Sequence, residues 1–585
     1  MSQVNLASEQ QVSKQNVEDI YELSPMQQGM LFETLYAPES GVYVTQLCLT
    51  LDSSLNVSAF RQAWQELVDQ HPILRTLFIW QRDKAPLQMV RKQVVLPWLV
   101  LDWRGCADVE AALTDWLHTD RQQGFILDQA PLMRCTLIQT PADSWQFVWS
   151  HHHLISDGWS FPILLQELLT RYRSACAGRP ISLPAPRPYR DYILWLRRQD
   201  RPRAETFWRA QVQSFTAPTP FNVDQRTHSR STDAANYASL QNVLSAARFA
   251  ALNTFAQMHY LTLNTLIQGA WALLLGRYSG NPEVLFGATV SGRPPTLTGV
   301  EQMVGLFINT LPVAVKLPPE QSVHSWLQAL QENQSAAQEY SYLSLTDIQR
   351  WSGIPNGTPL FESILVFENY PLDQAHATDF TLIQDVHSQE QTNFPLTIVV
   401  LPHTELSFSF RYDTCRFAPA TIERMVGHLE TLLQAIVANP DQPIGQLSLL
   451  SAAERHQLLV EWNNTTANYP QDKTIHQLFE EQVVRTPDAV AVVFESQQLT
   501  YRGLNQRANQ LAHYLQSLGV GPDMLVGICV ERSIEMVVGL LGILKAGGTY
   551  VPLDPSYPQE RLEFMLHDAQ ISILLTQAHL AGKFS

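Results

Sequence analysis

The sequence predicts a mixed α/β protein of several folding units, and three observations carry that expectation. Its 585 residues exceed by severalfold the roughly 100 to 200 that one domain needs. Hydrophobic residues make up 45% and charged residues 16%, enough to give each unit a buried core and far from the composition of a disordered chain. Helical and strand-like patterns alternate throughout, which favours mixed layers over an all-helical or all-β protein. The formal net charge of −16 argues against a broad basic face for nucleic acid. The six cysteines are scattered without a CxxC pair, so neither a zinc cluster nor a disulfide framework is expected. A reducing cytoplasm is the expected compartment. The polar N-terminus lacks an apolar signal core, and the most hydrophobic run, Met536 to Leu544, is about half a membrane span.

Taken in order, Phe60, Trp64, Leu67 and Val68 form the apolar stripe of a helix that should stop at His71-Pro72, because proline disfavours α geometry in the residue before it. A strand is expected over Ile73 to Phe78. The Pro-rich run Leu183 to Pro188 continues neither helix nor sheet and reads as a connector between two lobes. The expected divisions are a polar tail over 1–17, a first lobe over 18–182, a second over 183–440, a linker over 441–470 and a new α/β unit over 471–585. In that last unit Thr474 and Thr500 are expected to cap helices, with a strand over Ala489 to Phe494.

The segment Trp145 to Ser160, WQFVWSHHHLISDGWS, carries the chemistry. Its first half alternates as a strand, placing Phe147, Trp149, His151 and His153 on one face and Val148, Ser150 and His152 on the other. Ser160 reads as a helix cap and Pro162 falls in the first turn of the helix after it. A histidine near neutral pKa accepts a proton from an attacking amine or hydroxyl, or holds that group by a hydrogen bond. Two histidines on one strand face supply only two metal ligands, and no HExxH or Cys/His partner accompanies them, so no metal is expected. Satisfied core histidines are the plain alternative, which the aspartate and glycine at fixed offsets weaken.

His152 to Gly158 resembles the HHxxxDG signature of nonribosomal peptide synthetase condensation domains, members of the chloramphenicol acetyltransferase-like superfamily. Leu23 to Phe32, His71 to Phe78, Tyr189 to Trp195 and Val304 to Thr310 are similar, in order, to four further motifs of that family. The resemblance covers about residues 18 to 440. It implies an α+β sandwich fold in two acetyltransferase-like lobes, a V-shaped pseudo-dimer with the active site in a tunnel between them. It assigns His153, with His152 and Gly158, to catalysis. Asp157 is implied to be structural and paired with Arg75, and breaking such a buried pair costs about 3 to 5 kcal/mol. Trp159 and Asn309 are candidate tunnel-lining residues, and Ser291 to Pro295 resembles a bridging segment near the tunnel.

Leu499 to Leu504 and Leu544 to Asp554 resemble the first two motifs of an amino-acid-activating adenylation domain, with Gly503 where glutamate is usual. The later Ser/Thr/Gly-rich loop and lysine that hold ATP phosphates do not follow, so no adenylation is expected from this segment. The implied activity is amide formation between an acyl or peptidyl thioester on an upstream carrier protein and an aminoacyl group on a downstream one. No cofactor is expected to bind directly, since the phosphopantetheine arms arrive on the carriers. The donor carrier is expected on another polypeptide, with the chain itself a monomer that binds neither nucleic acid nor membrane. A catalytically inactive carrier-binding remnant of a truncated synthetase is the alternative from a different class.

Overall fold

Asn56 begins the first long helix by accepting a hydrogen bond from the Ala59 amide, and Phe60, Ala63, Trp64, Leu67 and Val68 bury one face of Val57–Gln70. The helix ends at His71, as Pro72 requires. The strand expected from Ile73 begins only at Thr76, because Pro72–Arg75 forms a 3-10 turn. In the computed structural model, residues 16–584 are described apart from 39–40, 82–83, 143, 180, 182, 224–236, 356, 370–381 and 390–391, and the side chains of 387–389 are not described. Most of the polar tail thus lies outside the described residues.

The chain divides into a unit ending at Leu459 and one beginning at Val460. The first contains two main sheets. One runs in the order Ile383–Gln389, Val44–Leu51, Trp145–His152, Met133–Gln139 and Trp98–Asp102, antiparallel except for the last pair. The other has six strands, Asn309–Lys316, Glu283–Val290, Ser363–Phe367, Leu396–Pro402, Leu406–Asp413 and Tyr237–Leu244, with Ser363–Phe367 parallel to both neighbours. A small sheet of Val17–Glu22, Lys84–Arg91 and Thr76–Gln81 flanks the first.

Each large sheet has its own core. Helices Val57–Gln70 and Ser160–Cys176 cover the first, with Phe60, Trp64, Phe147 and Trp149 buried between them. Leu263–Ser279, buried at every residue from Thr265 to Gly276, is the central helix of the second. The chain passes from one core to the next between Tyr192-Ile193, buried in the first, and Ala204 and Trp208, packed under the six-stranded sheet. It then returns twice. Leu297 to Phe307 contribute side chains to the first core, and Ile383–Gln389 completes the first sheet. Later stretches of the chain therefore belong to the first lobe, which the linear division at residue 183 did not anticipate.

Residues 441–449, expected to open a linker, pack Ile444 and Leu447 into the second core, and the Ile444 amide donates to the Gln321 carbonyl at 2.9 Å. In the second unit Thr474 and Thr500 cap Ile475–Arg485 and Tyr501–Ser517. With Gly503 at the third helical position, the Thr500 cap has no reciprocal side-chain partner, whereas the Thr474 cap has Gln477. A parallel sheet of Thr549–Pro552, Leu525–Cys529 and Ile573–Thr576 follows. The hydrophobic run at 536–544 lies in the helix Ile534–Ala546, and no described helix is long and apolar enough to cross a membrane.

Candidate active site

A cavity of about 430 Å³ opens between the two large sheets of the first unit. Leu47, Trp149, His151 and His153 line it from the first sheet and its adjoining turn. Val399, Ser409 and Arg411 line it from the second, and Gly158, Trp159 and Ser291 from the loops. His153 begins a 3-10 turn, His153–Ile155, where the strand Trp145–His152 ends. Its amide donates to the Tyr43 carbonyl at 2.8 Å and its carbonyl accepts from the Ser156 amide, so backbone bonds on both sides set where the imidazole enters the cavity.

His152 does not face that cavity. The Leu154 amide donates to its Nδ1 at 3.2 Å, and its Nε2 lies 3.1 Å from the Thr34 hydroxyl, which donates to the Met30 carbonyl. Nδ1 accepts, so Nε2 carries the proton and donates to Thr34: a neutral, doubly engaged imidazole. The assignment of His152 to catalysis is corrected accordingly; strand alternation turns it away from His151, and its ring ties the turn to the helix Pro25–Tyr36.

Burial, reinforced by His153, lowers the His152 pKa to about 3. The unfolded imidazole protonates below its ordinary value near 6.5 while the folded one stays neutral, so this residue costs stability as pH falls from 6.5 towards 3. The full cost is on the order of 4 to 5 kcal/mol. Urea unfolding of His152→Asn at pH 7, 5.5 and 4.5 is expected to show a shallower loss of stability than wild type; parallel curves would contradict it.

Asp157 organises the loop. Its Oδ1 accepts from the Ser160 amide at 2.9 Å and hydroxyl at 2.8 Å, and its Oδ2 accepts from the Phe307 amide at 2.9 Å. Asp157 rather than Ser160 is therefore the side-chain acceptor at the start of the helix Ser160–Cys176, and Ser160 is its first residue. The cationic partner is Arg293, with Nη2 at 3.3 Å from Oδ1. Arg293 also donates to the carbonyls of Val300 and Met303 and lies over the Phe307 ring at 4.1 Å. Gly292, at φ +60°, supplies the turn before it; a Cβ there would meet the Phe307 carbonyl oxygen at 1.7 Å.

The expected Asp157–Arg75 pair is thus corrected. Arg75 is buried elsewhere, donating to Glu18 at 2.5 Å and to the carbonyls of Val68 and Lys92. The 3-10 turn at Pro72–Arg75 sends its side chain beneath the small sheet. Asn309 is not among the cavity residues. Its Nδ2 donates to the Ser341 and Leu343 carbonyls at 2.7 Å each, so it pins a loop while Ile308 and Thr310 on either side reach the cavity. Trp159 and Gly158 do line it. Arg293 and His151 were missed as site residues. A cation held in turn chemistry between Gly292 and Pro294 was a signal for the first; shared strand parity with His153 was a signal for the second.

The site thus belongs to a two-lobed α/β fold with a histidine turn facing the cavity between its two large sheets. The condensation-domain family matches residues 17–459, and the chain belongs to it; residues 479–584 match the AMP-binding enzyme family. The chain is 47% identical over 568 residues to one linear gramicidin synthase polypeptide of Brevibacillus parabrevis and 48% identical over 575 residues to another, covering 97% of this chain in each case. It is 37% identical over 581 residues to tyrocidine synthase 2 of the same organism. The chain spans only 11%, 7% and 16% of those three relatives. Among solved structures, the nonribosomal peptide synthetase FmoA3 in an AMPPNP-bound form shares the fold at a TM-score of 0.76 and 22% identity, over 97% of this chain and 59% of that one. The first condensation domain of the calcium-dependent antibiotic synthetase, in complex with a substrate analogue, does so at 0.62 and 18% identity, over 74% of this chain and all of that one.

Proposed function

We propose that this chain forms an amide bond between two carrier-borne substrates, an acyl or peptidyl thioester and an aminoacyl thioester. The observation that carries the reading is His153 facing the inter-lobe cavity on a turn whose following residues are pinned through Asp157 to Arg293 and the Phe307 amide, on a segment that returns to the first core. The acceptor amine attacks the thioester carbonyl, a C–N bond forms and the C–S bond breaks. His153 takes the amine proton, which passes to the departing thiolate. Aminolysis of a thioester is already downhill, so orientation and proton handling are the main demands on the protein. The cavity wall offers apolar Met26, Met30 and Leu47 beside polar Thr45, Gln241 and Ser409, a mixture that suits a pantetheine arm with its methyl groups and amides. Those arms are read as substrates delivered by the carriers.

The test loads donor and acceptor carrier proteins separately, adds this chain and follows intact masses. A shift of the donor acyl mass onto the acceptor is expected. Tight carrier binding without transfer, for every loaded pair tried, would instead make the chain a carrier-binding remnant.

A further inference from the structure

The strand Trp145–His152 presents two residues to the cavity before the turn, Trp149 and His151. The His151 ring lies flat on the Trp149 indole, with centroids 4.0 Å apart and planes 19° from parallel. Trp149 is itself fixed, 1% exposed and packed on Trp64 at 5.3 Å. The plane of the His151 imidazole is thereby set by packing. Stacking alone does not call for an imidazole, since a phenyl ring packs on an indole equally well. What the imidazole adds is a ring with two hydrogen-bonding nitrogens on a wall where its cross-strand partner Thr45 and the apolar Met26, Met30 and Leu47 also stand.

Two residues along an extended strand advance about 6.6 Å. His151 therefore lies on the same cavity wall one side-chain repeat before His153, close enough to grip the chain that carries the reacting nitrogen. We propose that His151 is a positioning residue: it hydrogen-bonds an amide of the pantetheine-linked aminoacyl chain and so holds the amine within reach of His153. The proposal rests on the reading of His153 as the reacting centre.

The test compares wild type with His151→Phe, which keeps the ring on Trp149 and removes both nitrogens, and with His151→Gln, which restores a hydrogen-bonding group. Two readouts are taken on the full chain: kcat and KM for the loaded acceptor carrier, and calorimetric binding of an unreactive aminoacyl-pantetheine amide analogue. In His151→Phe we expect kcat/KM to fall and the analogue Kd to rise, each about tenfold, as for one lost hydrogen bond. The urea midpoint should stay unchanged, and His151→Gln should recover part of the loss. Values within twofold of wild type in His151→Phe, or no binding of the analogue by wild type, would overturn the proposal. Weakened analogue binding in His151→Phe with no turnover by wild type would uphold the positioning role and remove the proposed reaction instead.

Discussion

Asp157→Ala is expected to destabilise the first unit by about 3 to 5 kcal/mol, measured as the change in urea unfolding free energy followed by circular dichroism. The carboxylate is buried and accepts from two backbone amides, Ser160 and Phe307, as well as the Ser160 hydroxyl. Removing it orphans the two amides, while the Ser160 hydroxyl keeps the Gly305 carbonyl, and leaves Arg293, whose side chain is 7% exposed, without its anionic partner. An orphaned buried donor costs about 1 to 3 kcal/mol and an unpaired buried charge more. Arg293 keeps the Val300 and Met303 carbonyls, which holds the expected value inside the range rather than above it. Pairing the substitution with Arg293→Met should cost less than the sum of the two single changes, because no lone charge remains. A loss below about 1 kcal/mol in Asp157→Ala would show that the loop is held by something else.

The second large effect is kinetic. His153→Ala is expected to slow carrier-to-carrier acyl transfer by about a hundredfold or more, the ordinary contribution of a positioned general base, while the unfolding midpoint stays near that of wild type. The contrast with Asp157→Ala separates the two roles, since one substitution removes the proposed proton acceptor and the other dismantles the loop that follows it. His153→Gln refines the result. A side chain that can hold the amine but handle its proton poorly should fall between alanine and wild type if positioning contributes. Transfer by folded His153→Ala at the wild-type rate would demote the residue to cavity lining.

The two experiments depend on different distances along the chain, and so did what could be read from the sequence. Strand parity and the helix signals around His153 operate over two to four residues. They sufficed to place Trp149, His151 and His153 on one face and His152 on the other, to stop a helix at His71 and to set the Thr474 and Thr500 caps. The ordered motifs, being local strings, also sufficed for the two-lobed class and its family. Where a local rule had two outcomes, the reading slipped: Ile73 to Phe78 is apolar enough for a strand, yet its first residues close a 3-10 turn after Pro72.

The partner of Asp157 was a different kind of question. Arg75 and Arg293 are both arginines beside turn-forming residues, and nothing within a few positions of either tells which one meets a carboxylate 82 or 136 residues away. That was decided when Leu297 to Phe307 folded back into the first core and carried Arg293 and the Phe307 amide to the loop. The same return placed Asn309 against the Ser341 and Leu343 carbonyls instead of the cavity. By itself, then, the sequence determined the fold class, the family and which histidines share a face of the strand, because periodicity, caps and motifs are short-range properties of the chain. Only the tertiary structure decided which groups hold that turn, because burial and charge pairing belong to segments that become neighbours when later stretches of the chain return to the first lobe.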